Sequence, residues 1–207
     1  MSNFTPCMVK LANKDCVVIG GGKVAARKVI SLLHAKCHVK VISPELCSGL
    51  KEIIDQCTYE KRMFQKDDTR GAFLVVAATN SKAINMEIYK ESVDSVPFLN
   101  IVDDQQLSNF FLPSVVERGP LQIAISTTGT SPLVTKNIKQ KVEALFGPEY
   151  EPYLKIIGEL RKEIIETVGD SDEKKRLLLK LSSEELLVAF QENDAVGIDN
   201  FISDLWN

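Results

Sequence analysis

The chain has few of the side chains that most often bind metal ions: its 207 residues include only two histidines and five cysteines. The cysteines are odd in number and form no Cys-x-x-Cys pair, which argues against a zinc site and against a disulfide framework. Neither His34 nor His38 belongs to a cluster with metal-ligand spacing. We therefore expect no metal site and no catalytic histidine.

The sequence also lacks a long apolar run, an excess of positive charge and an apolar core near its N-terminus. No run approaches the roughly 18 residues that a membrane span needs. The net charge of −3 argues against nucleic acid as a partner, and the N-terminus does not resemble a signal peptide. We expect a cytoplasmic protein that binds neither membranes nor nucleic acid.

Three consecutive glycines follow a short β-branched run, residues 17–19, and precede apolar residues at helical spacing. Gly20, Gly22 and Ala25 fit the pattern G-x-G-x-x-G/A, which binds dinucleotides when it joins a strand to a helix. Gly20 permits a tight turn, Gly22 lets a pyrophosphate approach, and Ala25 lets the helix pack closely. The alternative is a glycine-rich turn without a ligand.

The start of the following helix offers further ligands for phosphate. The backbone N–H groups of Lys23 and Val24 lack intrahelical acceptors, and the helix N-terminus carries partial positive charge. The ammonium group of Lys23 suits a phosphate as well, although a solvated side chain is the alternative. We predict that these two residues bind the cofactor together with Gly20, Gly21 and Gly22.

Strand-like and helical segments alternate through the first half of the chain. This alternation predicts an α/β fold with a doubly wound, Rossmann-like parallel sheet. Pro44 is suited to the first position of a helix, and we predict a helix from there to about residue 56. Further strands are predicted at residues 38–42, 58–63, 73–78 and 98–102.

The end of the second strand is where NAD sites usually place an acidic residue against the ribose. Ser43, Pro44 and Glu45 occupy this position, and Glu45 follows Ala25 by 20 residues, close to the expected spacing. Glu45 is thus a ribose ligand or, alternatively, a carboxylate favoured by the helix dipole. No arginine occurs at this turn, which favours NAD over NADP.

The ends of the fourth and fifth strands carry further candidates. Thr79 and Asn80 lie at the sheet edge where ligands of open α/β folds bind, and small residues there would let a dinucleotide pass. The alternative is a plain turn in which Asn80 or Ser81 caps the next helix. Asp103 follows the fifth strand and would face the same crevice.

The pattern changes after residue 104. Two apolar runs, 110–117 and 121–126, flank a turn, and Ser131 with Pro132 then signals a helix start. Helical patterns fill the chain from residue 149 onward. We predict three parts: a nucleotide-binding domain at 1–113, a middle segment at 114–147 and an all-helical C-terminal domain at 148–207.

Five motifs make the chain resemble the precorrin-2 dehydrogenases of the siroheme synthase family, and they occur in the family's order within residues 15–145. The segments 20–28, 77–80, 100–103, 110–114 and 126–132 resemble, in that order, the family's motifs G-G-G-x-V-A-x-R-K, A-A-T-[ND], N-V-x-D, F-x-x-P-S and S-[ST]-x-G-x-S-P. The resemblance implies NAD-dependent oxidation of precorrin-2 to sirohydrochlorin. It also implies a homodimer, with the middle segment forming much of the interface.

The resemblance leaves alternatives open. Some family members also insert ferrous iron, so a bifunctional dehydrogenase and ferrochelatase is one alternative, and a non-enzymatic nucleotide-sensing dimer is another. At 207 residues we expect no room for the methyltransferase domain that longer members carry.

The resemblance also implies roles for individual residues. Asp103 matches the aspartate of N-V-x-D and would accept the proton that is lost as hydride leaves. Ser126, Thr127 and Thr128 would bind the carboxylates of the tetrapyrrole, or would only shape their loop. Thr127 stands where the family has a loop serine that is phosphorylated in some members, which weakens the case for a regulatory role of this position.

Overall fold

The computed structural model describes residues 4–102 and 104–206. The chain divides into two compact units, Met1–Leu112 and Pro113–Asn207. None of the helices within the described ranges is long and apolar enough to cross a membrane.

The first unit is built on a five-stranded parallel sheet with the order β3-β2-β1-β4-β5. This confirms the predicted Rossmann-like architecture. After β3, which is one edge of the sheet, the chain crosses over β2 and β1 to form β4 on the other side of β1, which is the central strand. The strands are β1 (Asp15–Ile19), β2 (His38–Ile42), β3 (Thr58–Glu60), β4 (Leu74–Ala77) and β5 (Phe98–Ile101).

The central strands are apolar because both of their faces are covered. Every residue of β4 is buried, as are all residues of β1 after Asp15. Helix α1 (Lys23–His34) buries Ala25, Ala26, Val29 and Leu32 in the core on one side of the sheet, and helix α3 (Lys82–Ser92) places Ile88 in the core on the other.

The prediction of a helix from Pro44 to about residue 56 is wrong. Only a four-residue helix, α2 (Ser48–Lys51), and a 3-10 turn at Ile54–Gln56 form in this region. Residues 43–47 instead fold as a loop, because the Cys47 N–H donates to the carbonyl oxygen of Gly21 at 2.8 Å. Glu45 therefore lies in a loop and not in the first turn of a helix.

The second unit begins with an antiparallel hairpin, β6 (Ser114–Arg118) and β7 (Leu121–Ile125). Helix α4 (Pro132–Leu145) follows, and its N-cap is Ser131, whose hydroxyl accepts from the Val134 N–H. The Arg118 side chain donates to the Phe146 carbonyl at 2.9 Å, which ties the hairpin to the end of α4.

Four helices complete the second unit, as the sequence predicts. They share one apolar core, in which Ile164, Leu177, Leu186 and Leu205 are almost fully buried. The helices are α5 (Tyr150–Thr167), α6 (Ser171–Leu181), α7 (Glu184–Gln191) and α8 (Ala195–Leu205).

Candidate functional site

A cavity of about 600 Å³ opens at the carboxyl edge of the parallel sheet. Ligands of open α/β sheets bind at this edge. All the residues predicted to hold the cofactor line the cavity except Lys23 and Val24, which begin helix α1 directly behind the glycine turn. The lining residues that sequence reasoning missed include Leu46, Cys47, Arg62, Met63, Phe64 and Ile84.

The glycine turn is packed so tightly that side chains are excluded at its first two positions. Gly20 has a φ of 124°, and a Cβ atom there would lie 2.2 Å from the carbonyl oxygen of Ala78. A Cβ atom on Gly21 would lie 1.8 Å from the carbonyl oxygen of Glu45. The turn is therefore held between the loops that follow β2 and β4.

Gly22 differs from its two neighbours. A Cβ atom built there would meet no described atom within 4 Å, so the fold itself does not require a glycine. Gly22 is also the N-cap of α1, and no side chain among the described residues caps this helix. Open space in front of unpaired N–H groups fits a phosphate or pyrophosphate group.

The loop after β2 forms one wall of the cavity. The Ser43 hydroxyl donates to the Glu45 carbonyl at 2.7 Å, and the Tyr59 hydroxyl donates to the Ser43 carbonyl at 3.0 Å. Ser43 is buried, while Pro44 and Glu45 are exposed. The hydroxyl of Ser43 is thus engaged within the loop, and Glu45 is an exposed acidic residue on the lining of this wall.

The loop after β4 forms the opposite wall. The Thr79 hydroxyl donates to the Asn85 side-chain oxygen at 2.7 Å, and the Asn85 amide donates back to the Thr79 carbonyl at 3.3 Å. Ser81 is the N-cap of α3 and accepts from the Ile84 N–H at 3.3 Å, which leaves Asn80 as a lining residue without the capping role. The amide of Asn85 is buried and fixes the shape of this turn.

A third wall is formed by the residues after β3. The Arg62 guanidinium bonds both oxygens of Asp68, at 2.7 and 2.6 Å, and it also bonds the Glu60 carboxylate. Lys40 pairs with the second oxygen of Glu60 at 3.1 Å. These four charges hold the loop that presents Met63 and Phe64 to the cavity.

The ion pairs shift the pKa values of the groups that form them. Burial raises the pKa of the Asp68 carboxyl, but the bonds from Arg62 and from the Gln65 N–H outweigh burial, so that the pKa is lowered overall. Hydrogen bonds from Lys40 and then from Arg62 lower the pKa of Glu60. Both side chains are therefore carboxylates at neutral pH.

Asp103, the predicted catalytic base, lies outside the described residues. Its neighbour Asp104 caps a turn, because its carboxylate accepts from the N–H groups of Gln106 and Leu107 at 3.1 and 3.2 Å. The buried Ser108 organises the same loop. Its hydroxyl accepts from the Ile101 N–H at 2.9 Å and is 2.7 Å from the Asp104 carbonyl.

The predicted substrate residues lie in the second unit, between β7 and α4. The Thr127 hydroxyl accepts from the Ser131 N–H at 3.1 Å and lies 3.0 Å from the Thr135 hydroxyl. The Ser126 hydroxyl accepts from the Thr128 N–H at 3.0 Å, and Thr128 has a φ of 48°. These hydroxyl groups shape the loop, and substrate binding by them stays a prediction.

Among the described residues, no group of three or more His, Cys, Asp or Glu side chains is placed to hold a metal ion. All five cysteines are unpaired, and burial raises the pKa of Cys16, Cys37 and Cys57.

Family models match both parts of the chain that carry the motifs. Residues 7–114 match a family described as "Putative NAD(P)-binding". Residues 118–145 match the family described as "Sirohaem biosynthesis protein central". The chain belongs to the siroheme synthase N-terminal module family. The prediction of a nicotinamide dinucleotide cofactor for the N-terminal unit is confirmed by the first match.

Similar proteins agree with this assignment. The chain is 30% identical over 196 residues to a siroheme synthase of Actinobacillus pleuropneumoniae serotype 3, covering 94% of the chain and 40% of the relative. It is 36% identical over 168 residues to the siroheme synthase of Nitrosospira multiformis, covering 78% and 36% of the two chains. The chain thus spans about two fifths of the length of these curated relatives.

A solved structure covers the whole chain. The structure of SirC, a precorrin-2 dehydrogenase, superimposes with a TM-score of 0.81 and 25% identity, and the match covers 98% of each chain.

Proposed function

We propose that this protein catalyses the NAD-dependent dehydrogenation of precorrin-2 to sirohydrochlorin. The observation that carries the proposal is the similarity to SirC over 98% of both chains. The cavity at the glycine turn supports the same proposal, because it offers the open, N–H-lined position that a dinucleotide needs. Bound NAD⁺ would supply the hydride acceptor, and the protein would supply binding and orientation.

Different residues around the cavity would bind different parts of the cofactor. The N–H groups at the start of α1, from Lys23 and Val24, would hold the pyrophosphate in front of Gly22. Glu45 would accept hydrogen bonds from the ribose hydroxyls. The turn formed by Thr79 and Asn80 would lie beside the nicotinamide half, because it follows β4, which pairs with β1 on the side opposite to β2.

Asp103 is the proposed general base. It follows β5, whose end lies next to that of β4 in the sheet, and a carboxylate there would take the proton that leaves as hydride is transferred. Ser126, Thr127 and Thr128 are proposed to bind the acidic side chains of the tetrapyrrole through hydroxyl and N–H groups.

An anaerobic assay with NAD⁺ and precorrin-2 generated in place tests the proposal. Sirohydrochlorin and NADH should form together with the wild-type protein. Asp103→Asn should lose turnover while calorimetry shows unchanged NAD⁺ affinity. Equal turnover in both proteins would keep the reaction and remove Asp103 as the base. A folded protein that binds NAD⁺ tightly but turns over no tetrapyrrole would instead support a nucleotide-sensing function.

We also propose a homodimer in which the segment 114–147 forms much of the interface. Helix α4 buries none of its residues, although Leu133, Val134, Ile138 and Leu145 are apolar. Leu133 and Leu145 are 72% and 70% exposed, as expected for positions that a partner covers. The paired substitution Leu133→Glu with Leu145→Glu should give a monomer in sedimentation experiments, whereas Lys136→Glu, in the same helix, should not.

We further propose a functional division of the chain and a location in the cell. The three-part division at residues 113 and 147 is proposed as functional, with a cofactor domain, a dimerisation segment and a helical domain. A cytoplasmic location agrees with the five unpaired cysteines, since thiols stay reduced in that compartment. Fractionation of cells would test the location.

A further inference from the structure

Arg62 lies beside the position where a ribose would bind. The carbonyl oxygen of Glu60 accepts from the Ser43 N–H at 3.2 Å and from the Arg62 N–H at 3.0 Å. Ser43 directly follows β2, at the strand end where the adenosine ribose of a dinucleotide is recognised. Arg62 and Ser43 also line the same cavity. A guanidinium at this position is the usual ligand of the 2′-phosphate of NADP.

The Arg62 guanidinium is already occupied. Two of its N–H groups meet the two oxygens of Asp68, and a further bond reaches Glu60. The Asp68 side chain is only 7% exposed, and it also accepts from the Gln65 N–H at 2.7 Å. Such a two-point bond between a guanidinium and a carboxylate is strong and fixes the orientation of both groups.

The charges around the ribose position also oppose a phosphate. Arg62 is paired with Asp68 and Lys40 is paired with Glu60, while Glu45 is an exposed acidic residue on the adjoining wall. A 2′-phosphate would have to compete with Asp68 and Glu60 for Arg62 while it approaches Glu45.

We propose that Asp68 is a positioning residue that engages Arg62 and thereby makes the site prefer NAD over its 2′-phosphorylated form. The inference rests on the dinucleotide site of the proposed function. Asp68 would touch neither the cofactor nor the substrate and would act only through the orientation of Arg62.

Calorimetric titration of NAD⁺ and NADP⁺ into the wild-type protein and Asp68→Asn tests this role. The variant keeps the shape of the side chain and an acceptor for the Gln65 N–H, but it removes the two-point bond from Asp68 and leaves Glu60 as the carboxylate bound to Arg62. We expect the ratio of the NADP⁺ and NAD⁺ dissociation constants to fall about tenfold, the size of effect that one freed charged hydrogen-bond donor produces. Asp68→Asn combined with Arg62→Gln should return the ratio to the wild-type value.

The outcomes separate the two proposals. If Asp68→Asn weakens the binding of NAD⁺ and NADP⁺ equally, Asp68 only stabilises the loop and the inference is overturned. If the double variant keeps the lowered ratio, Arg62 is not the phosphate ligand and the inference is again overturned. If the folded wild-type protein binds neither dinucleotide, the proposed function itself fails. A thermal melt of each variant shows that the comparison is made on folded protein.

Discussion

The amide nitrogen of Cys47 lies 2.8 Å from the carbonyl oxygen of Gly21. This bond joins the loop after β2 to the glycine turn after β1, so that the two loops form one wall of the cavity. It also places residue Cys47 on the lining of that wall.

We expect Gly22→Asp to abolish NAD⁺ binding without unfolding the protein. A side chain at position 22 meets open space, and aspartate is a favourable N-cap residue, so the melting temperature should stay the same or rise. A carboxylate facing the pyrophosphate should weaken binding ~100-fold or more, since like charges in contact cost several kcal/mol. Calorimetry and a thermal melt measure the two effects.

Gly21→Ala is the matched control for that substitution. Its Cβ atom would lie 1.8 Å from the Glu45 carbonyl oxygen, so this variant should be strongly destabilised. Unchanged NAD⁺ affinity of Gly22→Asp would show that the cofactor does not lie in front of helix α1.

NAD⁺ should slow the alkylation of Cys47. Residue Cys47 is partly exposed and lines the cavity, so bound cofactor would shield it. Cys7 is exposed outside the cavity lining and provides an internal control. Mass spectrometry after brief treatment with iodoacetamide should show protection of Cys47 alone. Equal labelling of Cys47 with and without NAD⁺ would argue against this position for the adenosine half.

Ser108→Ala should destabilise the first unit by about 1–3 kcal/mol, which is the usual cost of leaving a buried polar group without its partner. The hydroxyl satisfies the Ile101 N–H and lies close to the Ile101 and Asp104 carbonyls. Urea unfolding followed by circular dichroism measures the change. Ser95→Ala, at an exposed hydroxyl, should change stability by less than about 0.5 kcal/mol.

Lowering the pH should reduce the free energy of unfolding of the wild-type protein more than that of the Asp68→Asn variant. The folded state holds the pKa of Asp68 below the ordinary value of 3.8, so its contribution to stability is complete above that value. The contribution is lost as the pH falls below 3.8 toward the lowered pKa. The difference in the free energy of unfolding between the two proteins should therefore be largest near neutral pH and should decrease in acid. Glu60 titrates in both proteins, so the comparison isolates Asp68.

The sequence was sufficient to predict the strands and the glycine turn, because their signals are local. The short β-branched runs of β1 and β2 favour buried strands, and β2 has the predicted bounds, His38–Ile42. The helices of the second unit follow from apolar residues at helical spacing.

The remaining features depend on contacts between distant residues. Pro44 does not start a helix because the bond from Cys47 to Gly21 draws the loop toward the glycine turn. Arg62 was missed as a lining residue because its position depends on its bonds to Asp68 and on the pairing of β3 with β2. Neither contact leaves a periodic pattern in the sequence.

The approach of Gly20 to Ala78 is a contact between main chains. A Cβ atom at residue 20 would lie 2.2 Å from a carbonyl oxygen, which no change of side chain at position 78 could move aside. The spacing between the two central strand ends is therefore set by backbone alone. In evolutionary terms, any side chain that replaced Gly20 would meet the main chain of residues 78 and 79, and a change of side chain at those two positions would not relieve the clash.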